Sequence, residues 1–219
     1  MKKDKQSLFW NDAEMVRYFA SKPADPLIVN RLKKVDDANT KYALDLGCGG
    51  GRHTELLAQL GFKVTALDIN PEMISYTQNR LLEKDLDATM LLSSITDLNF
   101  KNRSFDVVVS TGVLHQVASL HDYNELMTNL FNIMKPGGLL TINIFTNAIW
   151  DKSYTVPNLQ EPFTVLTKEG LYMTILPKEL FYSIAGKAGF VLEEECSETI
   201  KKENTGDRAV LKAHLIKPL

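Results

Sequence analysis

The sequence predicts an α/β fold built on a doubly wound, mainly parallel sheet with helices on both faces. First, the short apolar run Tyr42–Leu46 is typical of a buried strand, and a glycine-rich turn at 47–51 and a helical pattern from Thr54 to Leu60 follow it at once. Second, apolar runs of strand length alternate with helical patterns along the rest of the chain. Third, Asp68 stands at the end of the next predicted strand, about 20 residues beyond the turn, where nucleoside-binding sheets of this class place an acid.

Length and composition set the broad class of the protein. A chain of 219 residues is most simply one domain spanning 1–219, and 44% hydrophobic with 24% charged residues is ordinary for a globular protein. No apolar run approaches the roughly 20 residues of a membrane span, and no signal segment follows the basic N-terminus. We therefore expect a cytoplasmic protein without a membrane partner. The formal net charge of −2 gives no basic footprint, so nucleic acid is not an expected partner.

The cysteines and histidines do not predict a metal centre. Cys48 and Cys196 are too few for a disulfide framework or a cysteine-based cluster. The four histidines show no spacing typical of metal ligands. No metal is therefore expected.

The helices and strands are predicted from the spacing of apolar residues and from the proline and glycine residues that end them. Segments 7–20 and 26–35 have amphipathic helical patterns, separated by Pro23. Lys135-Pro136-Gly137-Gly138 has the residues that end a helix and precedes an apolar strand. The remaining predicted strands are 62–67, 89–93, 107–110, 139–145, 190–195 and 208–216, and the remaining helices are 71–84, 123–134 and 177–188.

Residues 146–176 mix aromatic and polar residues without clear periodicity. A long irregular segment in a compact domain is usually functional or disordered, and its aromatic content argues against disorder. The segment follows the fifth predicted strand, so it should overhang the carboxyl edge of the sheet. We interpret it as a lid on a substrate pocket; the alternative is a surface excursion that contacts no ligand.

The glycine-rich turn predicts a ligand-binding loop. Glycines allow sharp turns and close approach of a ligand, and a helix start offers N–H groups to a polar or anionic part of it. A dinucleotide fingerprint starting at Gly47 needs a glycine where Arg52 stands, and the phosphate-loop pattern is also absent. The pattern that fits is Asp45-x-Gly47-x-Gly49-x-Gly51.

Asp68 has two compatible interpretations. Its carboxylate offers two acceptor oxygens to the two hydroxyls of a ribose. Asp68-Ile69-Asn70-Pro71 is also a helix N-terminal signal, with Asn70 suited to the cap and Pro71 to the first turn. We expect Asn70 to cap the helix and Asp68 to bind the ribose.

These motifs together resemble the class I S-adenosylmethionine-dependent methyltransferases. The resemblance covers residues 41–219 and rests on the glycine loop, on 67–73, on the Phe-Asp-Val-Val run at 105–108, and on the Met-Lys-Pro-Gly-Gly run at 134–138. It implies a Rossmann-like methyltransferase fold with a seven-stranded sheet of order 3-2-1-4-5-7-6 and an antiparallel last strand. It also implies that residues 1–40 form a helical cover over the cofactor.

The resemblance implies which residues hold S-adenosylmethionine, whose product is S-adenosylhomocysteine. The glycine loop meets the amino-acid end of the cofactor and Asp68 meets the ribose. Where the family often has an acid at the adenine, this chain has Ser94, with Asp97 as the alternative. The expected cofactor-binding set is Asp45, Gly47, Cys48, Gly49, Gly51, Asp68, Ile69, Met73, Ser94, Ile95 and Thr111.

The segment 110–116, after the central strand, bears on the methyl acceptor. It lacks both the Asn/Asp-Pro-Pro-aromatic run of amino-group methyltransferases and the Pro-Cys nucleophile of cytosine enzymes, and it resembles the small-molecule branches instead. His115 is the candidate catalytic base; the alternative is a residue that shapes the pocket. We expect methyl transfer to an O or N atom of a small molecule. An RNA or protein methyltransferase and a non-catalytic cofactor binder remain alternatives, and the oligomeric state is open between monomer and homodimer.

Overall fold

The computed structural model describes residues 13–146, 155–157, 160–167, 170–202 and 208–219. The predicted helix at 7–20 is therefore described only from Ala13 onward, and part of the predicted lid, including Trp150 and Tyr154, lies outside the described residues.

Helices and strands alternate along the described chain. The helices are α1 Ala13–Ala20, α2 Pro26–Leu32, α3 Arg52–Gln59, α4 Pro71–Leu82, α5 Leu120–Ile133 and α6 Lys178–Ala188, with a short 3-10 helix at Ala38–Thr40. The strands are β1 Tyr42–Leu46, β2 Lys63–Asp68, β3 Thr89–Leu92, β4 Phe105–Thr111, β5 Met134–Thr146, β6 Thr155–Pro157, β7 Thr164–Thr167, β8 Tyr172–Thr174, β9 Val191–Lys201 and β10 Arg208–Ile216.

The central sheet has the predicted topology. Its order is β3-β2-β1-β4-β5-β10-β9, which is 3-2-1-4-5-7-6 when only its own strands are counted. Neighbours from β3 to β5 pair in parallel, and β10 is antiparallel to both β5 and β9. Strands β2 and β3 are added on one side of β1, and β4 is added on the other side, so the carboxyl ends of the adjacent parallel strands β1 and β4 form the crevice where open α/β sheets bind ligands.

Alternating side chains of the central strands fill a separate core on each face of the sheet. Leu44 and Val108 pack in the cluster with α5 and α6, whereas Ala43 and Val107 pack in the cluster with α2 and α3. This double burial explains why these strands are apolar without alternation. Among the described helices, none has the length and apolar character needed to span a membrane.

The described part of segment 146–176 contains a second sheet, although the sequence predicted an irregular segment; its role as a substrate lid stays a prediction. Strands β6, β7 and β8 form an antiparallel sheet in that order. Each strand has only three or four residues, so period-2 alternation is too short to recognise. Thr174 attaches this small sheet to the segment after β4, because its N–H donates to the carbonyl of His115 and its hydroxyl donates to the carbonyl of Val117.

Two other boundaries differ from the sequence prediction. The strand expected at 139–145 begins at Met134, so the Lys-Pro-Gly-Gly run lies within β5 rather than between helix and strand. The strand expected at 190–195 continues to Lys201. Its second half is polar because β9 is the outermost strand of the sheet, and edge strands with charged side chains give no apolar signal.

Candidate active site

The glycine loop after β1 uses its glycines in two different ways. Gly47, Gly49 and Gly51 have φ of +71°, +53° and +77°, a region that favours glycine. A Cβ on Gly47 would lie 2.8 Å from Val113, and one on Gly51 would lie 2.6 Å from Thr77, so these two glycines permit close packing. A Cβ on Gly49 would meet no atom within 4 Å. The open face of the loop is therefore at Gly49.

The polar groups of the loop are largely bonded within the protein. The N–H groups of Gly47 and Cys48 both donate to the carbonyl of Leu67, each at 2.9 Å, and the N–H of Gly51 donates to the carbonyl of Cys48 at 3.0 Å. These bonds fix the loop against the end of β2. They also leave fewer N–H groups for a ligand than the sequence suggested.

Asp45 is buried and accepts hydrogen bonds from the first turn of α3. Its carboxylate is 1% exposed and accepts the hydroxyl of Thr54 at 2.6 Å, together with the Thr54 N–H. We expected this helix start to offer its N–H groups to a ligand; at Thr54 the N–H is taken by Asp45 instead. Burial raises the pKa of Asp45 to about 6, and the bonds from Thr54 oppose that shift.

Asp68 joins the end of β2 to the glycine loop. Its Oδ2 accepts the N–H of Gly49 and its Oδ1 accepts the N–H of Asn70, both at 2.9 Å. Asn70 in turn caps α4 by accepting the N–H of Glu72 at 2.8 Å, as the sequence predicted. The N–H of Ile69 also interacts with this carboxylate, and because a carboxylate has about four lone-pair positions, these backbone bonds leave acceptor capacity for a ribose hydroxyl. Burial raises the pKa of Asp68, and its N–H partners oppose that shift.

The residues expected at the adenosine differ in accessibility. Ile69 is 37% exposed beside Asp68, whereas Met73 is only 3% exposed and packs inside. The hydroxyl of Ser94 lies 2.8 Å from that of Thr96 and caps the turn after β3. Ile95 is 9% exposed and belongs to the core under α5. Any contact of Ser94 and Ile95 with an adenine would thus be made by the exposed edge of the turn after β3.

The carboxyl end of β4 supplies the other wall of the crevice. Gly112 has φ of +73°, and a Cβ there would meet no atom within 4 Å, as at Gly49. The hydroxyl of Thr111 lies 3.4 Å from Nδ1 of His53. Ser110 is fully buried, and its hydroxyl has no hydrogen-bond partner within the described part of the chain. The open face of Gly112 leaves this side of the crevice free of protein atoms at the position where a ligand would approach.

His115 lies beneath this wall and is held on two sides. The residue is 1% exposed, and its ring stacks on Phe145 with centroids 4.2 Å apart. Nδ1 accepts the N–H of Phe145 at 3.5 Å, and the carbonyl of His115 accepts the N–H of Thr174. A ring nitrogen that accepts an N–H carries a lone pair, so the neutral ring has its proton on Nε2. His115 therefore connects β4, β5 and the small sheet.

His53 is a site residue that the sequence did not single out. Its Nε2 accepts the N–H of Asp25 at 3.2 Å, at the start of α2, while its Nδ1 faces Thr111. Burial lowers the pKa of His53 to about 3, so the ring is neutral and its proton lies on Nδ1, toward Thr111. His53 thus connects the N-terminal segment to the crevice. Its position in the glycine-loop helix was the only sequence signal.

The N-terminal helices pack directly on the loop. A Cβ on Gly50 would lie 2.4 Å from Cα of Ala20, which explains a glycine at a position without positive φ. Arg80 donates to the carbonyls of both Ala20 and Gly50 and pairs with Glu55. This contact is consistent with the expected cover, but its role toward a cofactor stays a prediction.

Comparison with known proteins agrees with this geometry. A family model described as "Methyltransferase domain" matches residues 44–142. The ubiquinone biosynthesis O-methyltransferase of Coxiella burnetii is 28% identical over 163 residues, which cover 73% of this chain and 66% of that protein. The enzyme of the same name from Xanthomonas axonopodis is 34% identical over 101 residues, covering 46% of this chain and 41% of that protein. The matches thus span 66% of the length of the first relative and 41% of the length of the second.

Solved structures share the fold. A SAM-dependent methyltransferase from Methanosarcina mazei superposes with a TM-score of 0.73 at 20% identity, covering 90% of this chain and all of that one. The 1,6-didemethyltoxoflavin-N1-methyltransferase of Burkholderia thailandensis, solved with S-adenosylhomocysteine, gives a TM-score of 0.64 at 16% identity, covering 96% and 81%. The family match, the named relatives and the shared fold agree with the glycine loop and the crevice beside it, and we conclude that residues 44–142 form a methyltransferase domain of the class I S-adenosylmethionine-dependent type.

Proposed function

We propose that this protein transfers the methyl group of S-adenosylmethionine to an oxygen atom of a small molecule. The observation that carries the proposal is the pair of open glycine faces, Gly49 after β1 and Gly112 after β4, on adjacent strands of the crevice. The acceptor atom is inferred from the curated relatives, which are named as O-methyltransferases of ubiquinone biosynthesis.

The residues at the crevice fit the three parts of the cofactor. The open face of Gly49 suits the amino-acid end, because no side chain blocks its approach. Asp68 has acceptor capacity for the ribose, and the exposed side chain of Ile69 offers an apolar surface to the adenine. When bound, the cofactor supplies a methyl carbon that its sulfonium already makes electrophilic. The role of this chain is therefore to align an acceptor oxygen with that carbon.

His115 contributes to the proposed acceptor site by holding neighbouring backbone in place rather than by accepting a proton. The Nδ1 lone pair is engaged by the Phe145 N–H, and the Nε2 position carries the proton, so the neutral ring has no uncommitted lone pair with which to abstract a proton. We propose that His115 holds the segment after β4 in place. The acceptor oxygen then loses its proton to a solvent water molecule. A phenol or an enol suits such a site because its proton is already acidic.

The alternative functions each require a different acceptor or a different surface beside the crevice. Methylation of nitrogen is represented among the structural neighbours by the toxoflavin enzyme, whose likeness to this chain shows the fold alone. An RNA or protein acceptor calls for a basic surface beside the crevice, which the net charge of −2 does not favour. A non-catalytic protein would bind the cofactor and transfer nothing.

The test has two stages. Isothermal titration with S-adenosylmethionine, S-adenosylhomocysteine and NAD should show micromolar binding of the first two and none of NAD. Incubation with methyl-labelled donor and simple catechols, phenols or amines should then label an oxygen acceptor, and the Asp68→Ala variant should label it more slowly. Labelling of amines alone would show that the acceptor atom is nitrogen and not oxygen. Tight cofactor binding with no transfer to these acceptors, to RNA or to peptides would favour the non-catalytic alternative.

A further inference from the structure

A cluster of nitrogen, sulfur and oxygen donors lies on the antiparallel hairpin at the far edge of the sheet, outside the crevice. Glu194 of β9 pairs directly with His214 of β10. The pairing shifts register between Lys212 and Ala213, so Cys196 is an extra residue on β9. Such a bulge redirects side chains. One ligand atom from each of Glu194, Cys196 and His214 lies within 4.8 Å of the others.

His214 is oriented as a metal-binding imidazole would be. It is 3% exposed, and its Nδ1 lies 3.0 Å from the hydroxyl of Thr141 on β5. Metal-binding histidines usually use one ring nitrogen for the ion and hold the ring with a hydrogen bond at the other.

The neighbouring cations are already paired with other carboxylates. Lys212 contacts Asp25 at 2.6 Å, and Arg31 forms a two-point pair with Glu193 at 2.7 and 2.8 Å. Within the described ranges, Glu194 forms no ion pair. Its carboxylate is exposed, Cys196 is half-buried and His214 is buried, so the cluster opens to solvent on one side and an ion can enter.

We propose that Glu194, Cys196 and His214 bind a divalent transition-metal ion of the zinc type, with the fourth position open to water. Thiolate and imidazole donors favour zinc-like ions over magnesium or calcium, which prefer oxygen. Tetrahedral ligands at about 2.0–2.3 Å from zinc stand roughly 3.3–3.8 Å apart, so donor atoms that already lie within 4.8 Å of one another need to approach by at most about 1.5 Å on binding. The Cys196 proton passes to solvent as the metal–sulfur bond forms.

This site would connect β9 to β10 at the edge of the sheet, where no other strand of the described residues pairs with β9. An ion that binds only the folded hairpin stabilises it by mass action. This site was not predicted from the sequence, because a Glu-x-Cys pair and a histidine 18 residues later match no familiar ligand spacing. Pairing of the two strands brings them together.

The experiment is titration of the full, chelator-treated chain with Co²⁺, a spectroscopic substitute for Zn²⁺. We expect one equivalent to bind, with a thiolate-to-cobalt charge-transfer band and visible bands of tetrahedral intensity. Added Zn²⁺ should displace the cobalt. Cys196→Ser should abolish the thiolate band, and Glu194→Gln should weaken binding by at least about tenfold. Thr141→Val should weaken it by about 10–100-fold through loss of the bond that orients His214.

Matched controls separate this site from the other candidates. Cys48→Ser removes the other cysteine, and Glu195→Gln changes the adjacent acid, which pairs with Lys178 instead. Both variants should keep the wild-type spectrum. Glu194 is exposed, so its variant should fold, and far-ultraviolet circular dichroism checks every variant. No thiolate band in the folded wild type, or the same band in Cys196→Ser, would overturn the proposal.

Discussion

The carboxylate of Asp68 accepts the backbone N–H of Gly49 at 2.9 Å, and so joins the acid after β2 to the open glycine of the loop after β1. The acid expected to bind the ribose is therefore also a support for the loop expected to bind the amino-acid end. Two parts of the proposed cofactor site depend on one side chain. A substitution at Asp68 should therefore disturb both the ribose position and the glycine loop.

Replacing Asp68 with alanine should weaken the binding of S-adenosylmethionine and S-adenosylhomocysteine by about 1–3 kcal/mol, the cost of losing hydrogen bonds to a charged group. The Gly49 N–H also loses its acceptor, so the free energy of unfolding should fall as well. Isothermal titration and urea unfolding measure the two effects. Asp106→Asn is the control, because Asp106 accepts from Tyr42 and Lys135 at the opposite end of β4. Unchanged cofactor affinity in Asp68→Ala would remove Asp68 from the site.

Gly49→Ala should impair binding more than folding. A Cβ at Gly49 meets no protein atom within 4 Å, so the cost to folding is the strain of positive φ alone, about 1–2 kcal/mol. The same methyl group would project into the space proposed for the cofactor. Gly51→Ala is the matched variant: its Cβ would clash with Thr77, so it should lower the melting temperature more. Equal cofactor affinity in wild type and folded Gly49→Ala would place the cofactor elsewhere.

Asp45 and His53 should give opposite dependences of stability on pH. His53 has its pKa lowered from 6.5 to about 3, so between these values the unfolded chain binds a proton that the folded chain does not, and stability rises with pH. Asp45 has its pKa raised from 3.8 to about 6, so in that window the folded chain holds the extra proton, and stability falls as pH rises. Each slope reaches at most about 1.4 kcal/mol per pH unit, and the two oppose each other between about pH 4 and 6.

The measurement is the free energy of unfolding across pH 4–7 for wild type, Asp45→Asn and His53→Gln. Relative to wild type, Asp45→Asn should gain stability as pH rises, and His53→Gln should lose it. His121→Gln, at a histidine whose side chain is 78% exposed, is the control and should run parallel to wild type. Parallel curves for all three variants would mean that neither buried group titrates as described.

The sheet was predictable because its signals are local. The apolar run of β1, the glycines after it and the Asn70-Pro71 helix start each depend on a few consecutive residues, and the structure has all three. Strand order, by contrast, came from the resemblance to a family, since periodicity alone does not say which strands pair.

What the sequence did not predict depends on partners distant along the chain. The half-polar strand β9 is long because β10 pairs with it through Lys201, not because its own pattern is strand-like. The three short strands of 155–174 are stabilised by one another and by Thr174 bonded to the segment after β4. His53 has its role because Asp25, 28 residues earlier, and Thr111, 58 residues later, meet its two nitrogens.

His115→Asn should distinguish a positioning residue from a base. Asparagine has an acceptor oxygen close to the position of Nδ1, so it can still take the Phe145 N–H, but it does not titrate and cannot stack as a ring does. If His115 fixes the segment after β4, the variant should keep kcat within a few-fold and its pH profile unchanged, with KM for the acceptor raised. His115→Ala, which loses the acceptor as well, should be slower and less stable, with cofactor affinity nearly intact. Steady-state kinetics from pH 6 to 9 measure this with the acceptor that labels best. A large fall in kcat for His115→Asn, with loss of the limb of the profile near the histidine pKa, would instead make His115 the base.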